Sequence, residues 1–172
     1  MARAIIKGTG SYTPPKVLKN DFFFSVGSND EWIYSHLGIK ERRIVDGEVT
    51  SDLASKAGLK ALENAGITSK EVDLIIVATS TPDRQAPSTA CFVQEKIDAN
   101  HAVAFDISAV CSGGIYGLAI GSQFIQTGMY KNVLVIGADT FSSITDWSRK
   151  DSVFFGDGAG AILLSATEED KG

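Results

Sequence analysis

Val72-Asp73-Leu74-Ile75-Ile76-Val77-Ala78 is almost continuous in apolar side chains, and its reading decides the fold class. A strand with one wet face alternates apolar and polar residues, so a run this apolar predicts a strand covered on both faces. Residues 132–138 read the same way. Residues 3–10, 102–107 and 158–165 are expected to form further strands, and Ser11-Tyr12-Thr13-Pro14-Pro15 to break regular structure. Between these runs the period becomes helical. Leu53, Ala57, Ala61, Leu62 and Ala65 share one helical stripe across residues 50–65, and Gly66 stands where a terminating glycine belongs. Residues 112–127 predict a second long helix ending at Gly128. A third starts at Pro87 or Ser88 and runs to about Ile97. A short helix over 29–37 is capped by Asn29 or Ser28 and stopped by Gly38.

Strands alternating with helices predict an α/β domain: a five-stranded mixed sheet with helices on both faces. No helix is evident between the last two strands, so the last is expected to run antiparallel, at or near an edge. The domain occupies residues 1–166. The polar, acidic residues 167–172 read as the start of a linker.

Of the 172 residues, 44% are hydrophobic and 22% charged, the composition of a globular domain with one core rather than a disordered chain. The net charge of −5 argues against a general nucleic-acid binder, which needs a basic face. No apolar run reaches the roughly 18 residues of a membrane span, and residues 1–7 lack the apolar stretch of a signal peptide. The expected setting is cytoplasmic. Two cysteines and two histidines make neither a disulfide framework nor a zinc-ligand spacing.

Cys111 is the residue type on which chemistry can rest. It follows a strand, stands at the start of a helix, and has Ser112, Gly113 and Gly114 after it. A helix N-terminus favours the thiolate, the form that attacks, and small neighbours let a substrate carbonyl approach. A small buried thiol is the competing reading, and residue type alone does not separate the two. Cys91, beside Phe92 and Val93 inside a helix, reads as core. Gly156-Asp157-Gly158-Ala159-Gly160 lacks the lysine of a phosphate loop and reads as a tight turn. Gly8-Thr9-Gly10 lacks the third glycine of a dinucleotide fingerprint. Trp32 suits either inward packing, the simpler reading, or stacking on a flat ring. His101 reads as structural or surface.

Six segments, in order along most of the chain, together resemble one family. They are Ser28-Asn29-Asp30-Glu31-Trp32-Ile33, Gly38-Ile39-Lys40-Glu41-Arg42, Ala78-Thr79-Ser80-Thr81-Pro82-Asp83, Pro87-Ser88-Thr89-Ala90-Cys91, the run from Ala104 to Gly113 through Cys111, and Phe155-Gly156-Asp157-Gly158-Ala159-Gly160-Ala161. They look like the N-terminal half of a β-ketoacyl-acyl carrier protein synthase III, a condensing enzyme of thiolase-like fold. The resemblance implies acyl transfer from acyl-CoA to Cys111, then decarboxylative Claisen condensation with malonyl-acyl carrier protein to give a 3-oxoacyl-carrier protein, the initiating step of fatty acid synthesis. It implies no metal or redox cofactor, and a homodimer. It assigns Trp32 to the adenine of coenzyme A, with Arg149 and Lys150 competing for a nucleotide-holding position. His36 replaces a common arginine there, and Leu37 a common threonine. Ala86 replaces a common phenylalanine on the loop that closes the partner subunit's acyl pocket, and Gly114 a bulky residue shortly after the nucleophile. The family's catalytic histidine and asparagine belong to a second half with no counterpart among these residues, so this chain alone is expected to be inactive. Two other readings are a secondary-metabolite ketosynthase or acyltransferase using a larger acyl group, and a non-catalytic half that binds or dimerises.

Overall fold

A computed structural model describes residues 2–169. Among them the main sheet has five strands, β1 (Arg3–Tyr12), β4 (Leu74–Ala78), β5 (Val103–Ile107), β6 (Asn132–Thr140) and β7 (Asp157–Thr167), in the order β1-β7-β6-β4-β5. A smaller sheet pairs β2 (Lys16–Lys19) with β3 (Glu41–Ile44). The longer helices are α1 (Asp30–Leu37), α2 (Thr50–Ala65), α3 (Thr89–Lys96) and α4 (Gly113–Gln126).

The apolar run at 72–78 becomes β4, every residue of which is buried, between parallel partners β5 and β6. One face of the sheet packs on α2 and α3 through Ala57, Ala61, Leu62, Ala90 and Val93 against Ile75, Val77, Leu134, Ile136 and Leu163. The opposite face packs on α4, with Leu74, Ile76, Val133, Val135 and Leu164 around Ile125. Helices thus cover both faces, as expected. A third cluster, Phe23, Ile33 and Val153, is the core of the lobe carrying β2, β3 and α1.

β7 is antiparallel to β6 and lies near an edge, as expected, with β1 added antiparallel outside it. The partly exposed strand takes the outside: β1 carries several exposed residues, while β7 is mostly buried. One expectation needs correcting. Residues 11 and 12, expected to break regular structure, instead extend β1. The β2–β3 pair was not foreseen, since its four-residue strands are far apart in the chain and carry no hairpin turn between them. β7 runs to Thr167, and the last three residues of the expected linker lie outside the described residues. Among the described residues no helix is long and apolar enough to cross a membrane.

Glycine sets how close the layers come. A Cβ added to Gly10 would lie 2.3 Å from the Ala57 carbonyl oxygen, and one on Gly8 2.4 Å from that of Ala61. The two glycines that fall short of a dinucleotide fingerprint are therefore the seat of α2 on β1. Gly10→Ala is expected to destabilise the fold by about 2–3 kcal/mol, because backbone cannot yield as a side-chain end can. Gly114→Ala, with open space around the added carbon, is expected to cost less than about 1 kcal/mol or to stabilise. Denaturant midpoints of the two variants check this.

Candidate active site

β4, β5 and β6 all end on the same side of the sheet. The segment after β4 leads to α3 on one face, and the segment after β5 leads to α4 on the other. Strand order therefore reverses about β4, and the crevice at such a reversal is where open α/β sheets place their ligands.

Cys111 lies at this end, in a single helical turn (Val110–Ser112) between β5 and α4. The turn is closed by Ser112 N–H donating to the Ala109 carbonyl at 3.0 Å. Val110 has φ +47°, in the left-handed region that β-branched residues avoid, at a cost of about 1–3 kcal/mol. The turn projects Val110, 67% exposed, and Cys111, also exposed, out of the fold. What holds it is the seat of α4. A Cβ on Gly113 would lie 2.9 Å from the Ala78 Cβ, one on Gly117 2.7 Å from Val135, and one on Gly121 3.0 Å from Val133. The buried reading of Cys111 does not hold.

Beside the thiol is a recess of about 560 Å³, lined by Thr9, Gly10, Cys111, Gly114, Ile115, Leu118, Val135, Gly137, Gly160, Ala161 and Ile162. Cβ atoms on Gly114, Gly137 or Gly160 would meet no heavy atom within 4 Å, so the missing side chains are open space. A second cleft of about 310 Å³ shares Gly137 and Gly160 and extends to Asp139 and Phe141. Ala86 is exposed on the loop before α3 and does not line the recess.

The loops around the crevice are tied by carboxylates that accept from neutral donors. Asp139 accepts from the Thr79 hydroxyl (3.1 Å), the Ser80 N–H (2.8 Å) and the Thr81 hydroxyl (3.0 Å). Asp106 accepts from the Thr89 and Ala90 N–H groups at 2.6 and 2.7 Å, capping α3 from the neighbouring strand. Ser88, which stands at the N-cap of α3, makes no such bond, and its hydroxyl lies 3.2 Å from the Cys91 sulfur. Cys91 is half-buried rather than core. Asp157 accepts from Val45 N–H at 2.7 Å and Ser142 N–H at 2.8 Å. The glycines around it have no positive φ and belong to or adjoin β7, so the tight-turn reading of 156–160 fails and the aspartate is the working residue there. None of these three ties had a local signal beyond an acidic residue at a strand end.

Trp32 is not inward-packed. It is 37% exposed on α1, and the His36 ring stacks on it at 4.8 Å and 18°. His36 Nδ1 sits 2.9 Å from the Trp32 carbonyl oxygen. The Lys150 ammonium is 5.8 Å from the Trp32 ring centroid. Arg149 turns instead to Asp151, with bonds of 3.0 and 2.8 Å. That pairing holds the Arg149 guanidinium above its ordinary value and the Asp151 carboxyl below its own. Trp32, His36 and Lys150 therefore form one group, and Cys111 with Gly114 another. His101 is exposed, just before β5.

Residues 105–172 match the family model for 3-oxoacyl-[acyl-carrier-protein] synthase III. The chain is 52% identical over 99% of its length to the β-ketoacyl-[acyl-carrier-protein] synthase III of Clostridium kluyveri, covering 54% of that protein. The crystal structure of 3-oxoacyl-[acyl-carrier-protein] synthase III from Aquifex aeolicus superimposes with a TM-score of 0.92 at 47% identity, over 98% of this chain and 55% of that one. The priming β-ketosynthase of the R1128 polyketide pathway superimposes with a TM-score of 0.93 at 30% identity, over 97% of this chain and 51% of that one. The chain spans about half the length of the curated relatives it matches. In sequence and in its thiolase-like architecture alike, the chain belongs to the β-ketoacyl-acyl carrier protein synthase III family.

Proposed function

We propose that this chain supplies the nucleophile-bearing half of a decarboxylative condensing enzyme, with Cys111 as the acyl acceptor. The observation that carries the reading is an exposed thiol on a strained turn, at the N-terminus of a helix, over an open recess floored by glycines. The Cys111 thiolate attacks the thioester carbonyl of acyl-CoA. The backbone N–H of Cys111 itself contributes to stabilising the oxyanion. Coenzyme A leaves as its thiol, and the acyl group stays on sulfur. Malonyl-acyl carrier protein then loses carbon dioxide. The resulting enolate carbon attacks the cysteinyl thioester, and the thiolate leaves from a 3-oxoacyl-carrier protein. Trp32, His36 and Lys150 form the nucleotide face, an aromatic stack beside a cation suited to an adenine bearing phosphates. No metal or redox group takes part in this scheme, and its setting is cytoplasmic.

In the full-length enzyme, incubation with acyl-CoA is expected to add one acyl group to the peptide carrying Cys111, and Cys111→Ala to abolish both that adduct and malonyl-dependent turnover. In this chain, limiting iodoacetamide is expected to label Cys111 about tenfold faster than half-buried Cys91. Equal labelling of the two in folded protein would sink the assignment.

The open space at Gly114, and the small side chain of Ala86 on the loop that closes the partner subunit's acyl pocket, favour acyl groups larger than acetyl. Ala86→Phe in the full-length enzyme is expected to shift preference toward short primers by about 1 kcal/mol per excluded methylene, read from kcat/KM across a chain-length series.

The partner we assign to β5 is a second copy. Val103 N–H donates to the Asp73 carbonyl and the Ile107 carbonyl accepts from Thr79 N–H, so alternate residues Ala104 and Asp106 point their backbone groups off the sheet. An unpaired edge next to exposed Val103 is a template for another strand. Ala104→Pro removes an outward donor while sparing the bonds to β4. It is expected to weaken dimerisation about tenfold or more in sedimentation, with far-UV circular dichroism retained.

A further inference from the structure

The nucleotide face is assembled from two pieces of chain far apart in sequence. Trp32 and His36 come from α1, and Lys150 from the loop between β6 and β7. Something must fix their separation, and the candidate is a side chain that touches no nucleotide. Arg42, on β3, is only 5% exposed. Its Nε and one terminal nitrogen both donate to the Val153 carbonyl, at 2.8 and 2.6 Å. Its other terminal nitrogen donates to Asn20 Oδ1 at 2.6 Å, and its guanidinium lies 4.4 Å from the Phe23 ring centroid. Asn20, also buried, passes the link on, donating from Nδ2 to Asp30 Oδ1 at 2.7 Å and to the Ile39 carbonyl at 2.8 Å. Among the described residues no carboxylate pairs with Arg42 itself. A buried cation spent on a loop carbonyl and an amide is costly to keep and is a poor device for stability alone.

The two ends of this relay are informative. Val153 closes the short helical turn (Lys150–Phe154) that begins with Lys150. Asp30 opens α1, with Trp32 two residues on. We infer that Arg42 is a positioning residue. Through Asn20 on one side and the Val153 carbonyl on the other, it sets the distance of the Lys150 ammonium from the Trp32 ring. The planar fork is what the task needs: it grips one carbonyl with two N–H groups and the amide with a third. A lysine carries the charge but not that geometry. The nucleotide role of the face rests on the function proposed above, whereas the geometric claim does not.

The test therefore reads Lys150 against Trp32 without any nucleotide. In a Trp147→Phe background Trp32 is the single tryptophan, excited selectively over the tyrosines, and Lys150 concentrates anions beside it. The ratio of iodide to acrylamide quenching measures that proximity. Lys150→Gln sets the baseline and is expected to lower the ratio about twofold. Arg42→Lys, which retains the net charge, is expected to lower it to the same level. The double variant is expected to fall no further, since both changes remove one effect. Asn20→Ala, which keeps the grip on Val153, serves where Arg42→Lys does not fold and is expected to give part of the loss. An unchanged ratio in whichever variant is folded by circular dichroism overturns the inference. A coenzyme A titration of the full-length enzyme separates the two readings. Affinity about tenfold weaker in Arg42→Lys, with iodoacetamide labelling of Cys111 unchanged, supports both. An altered quenching ratio with no coenzyme A binding even in the wild type supports the positioning role and removes the nucleotide one.

Discussion

Backbones that touch with no side chain between them are the constraint on which the rest of the structure depends. On one face Gly8 and Gly10 bring β1 against the carbonyls of α2. On the other, Gly113, Gly117 and Gly121 lay α4 along β4 and β6. Helix and sheet normally stand apart by the length of the side chains that fill the gap. Here α4 starts almost on the strand ends, so the connection from β5 has little room to turn. Val110 takes a left-handed conformation to make that turn, and the next residue is the proposed nucleophile. The strain at Val110 and the exposure of Cys111 are one fact: a roomier seat for α4 would relieve the first and let the thiol sink back.

The loops that frame this turn are held by buried or half-buried polar groups, not by ion pairs. Asp106, Asp139 and Asp157 each accept from backbone N–H groups, two of them from hydroxyls as well, and Arg42 gives its protons to a carbonyl and an amide. The ion pairs in the fold, such as Lys56 with Glu48 and Lys16 with Asp46, lie at the surface, where such pairs contribute about 1 kcal/mol or less. A carboxylate satisfied by fixed N–H donors does not depend on the reach of a flexible cation. That suits segments that must hold position at the mouth of a cleft.

What was legible in the sequence follows the same physics. β4 announced itself because a strand covered on both faces has nowhere to put a polar residue, and α2 because its alanine stripe repeats at helical period. Cys111 stood out as a candidate because small residues follow it at a helix start, but residue type alone left its burial open. The rest is tertiary. Nothing local tells that Asp106 caps α3, because the cap and the helix meet only when β5 lies beside β4. Nothing local places Lys150 by Trp32, since that contact exists only through the lobe holding β3. That β1 would lie outside β7 was not legible, because the two strands meet across nearly the whole chain, and strand order is set by which surface each hides. A valine with positive φ is beyond sequence rules, which send β-branched residues the other way. Gly8 and Gly10 were discounted as a dinucleotide fingerprint and Gly156 was read into a tight turn, when what these three permit is close contact within or beside strands.

The surface around Cys111 carries a further consequence. Ile115, exposed by two thirds, lines the recess beside the thiol, and one turn along α4 Ala119, Ile120 and Phe124 line an apolar hollow of about 500 Å³. These residues lie along one helix, so the wall of the reactive recess and the apolar outer face of α4 are parts of a single surface. A body that covers the helix also roofs the thiol. Covering the helix gains free energy from apolar area removed from water, and that gain is independent of any substrate. Roofing the thiol removes water from the site where the proposed chemistry forms an oxyanion and an enolate, and fixed dipoles then act at lower dielectric. The drive to bury α4 and the demand of the chemistry for a dry recess thus point to the same closure. An enzyme built this way can spend hydrophobic burial in one place to raise the strength of its electrostatics in the next.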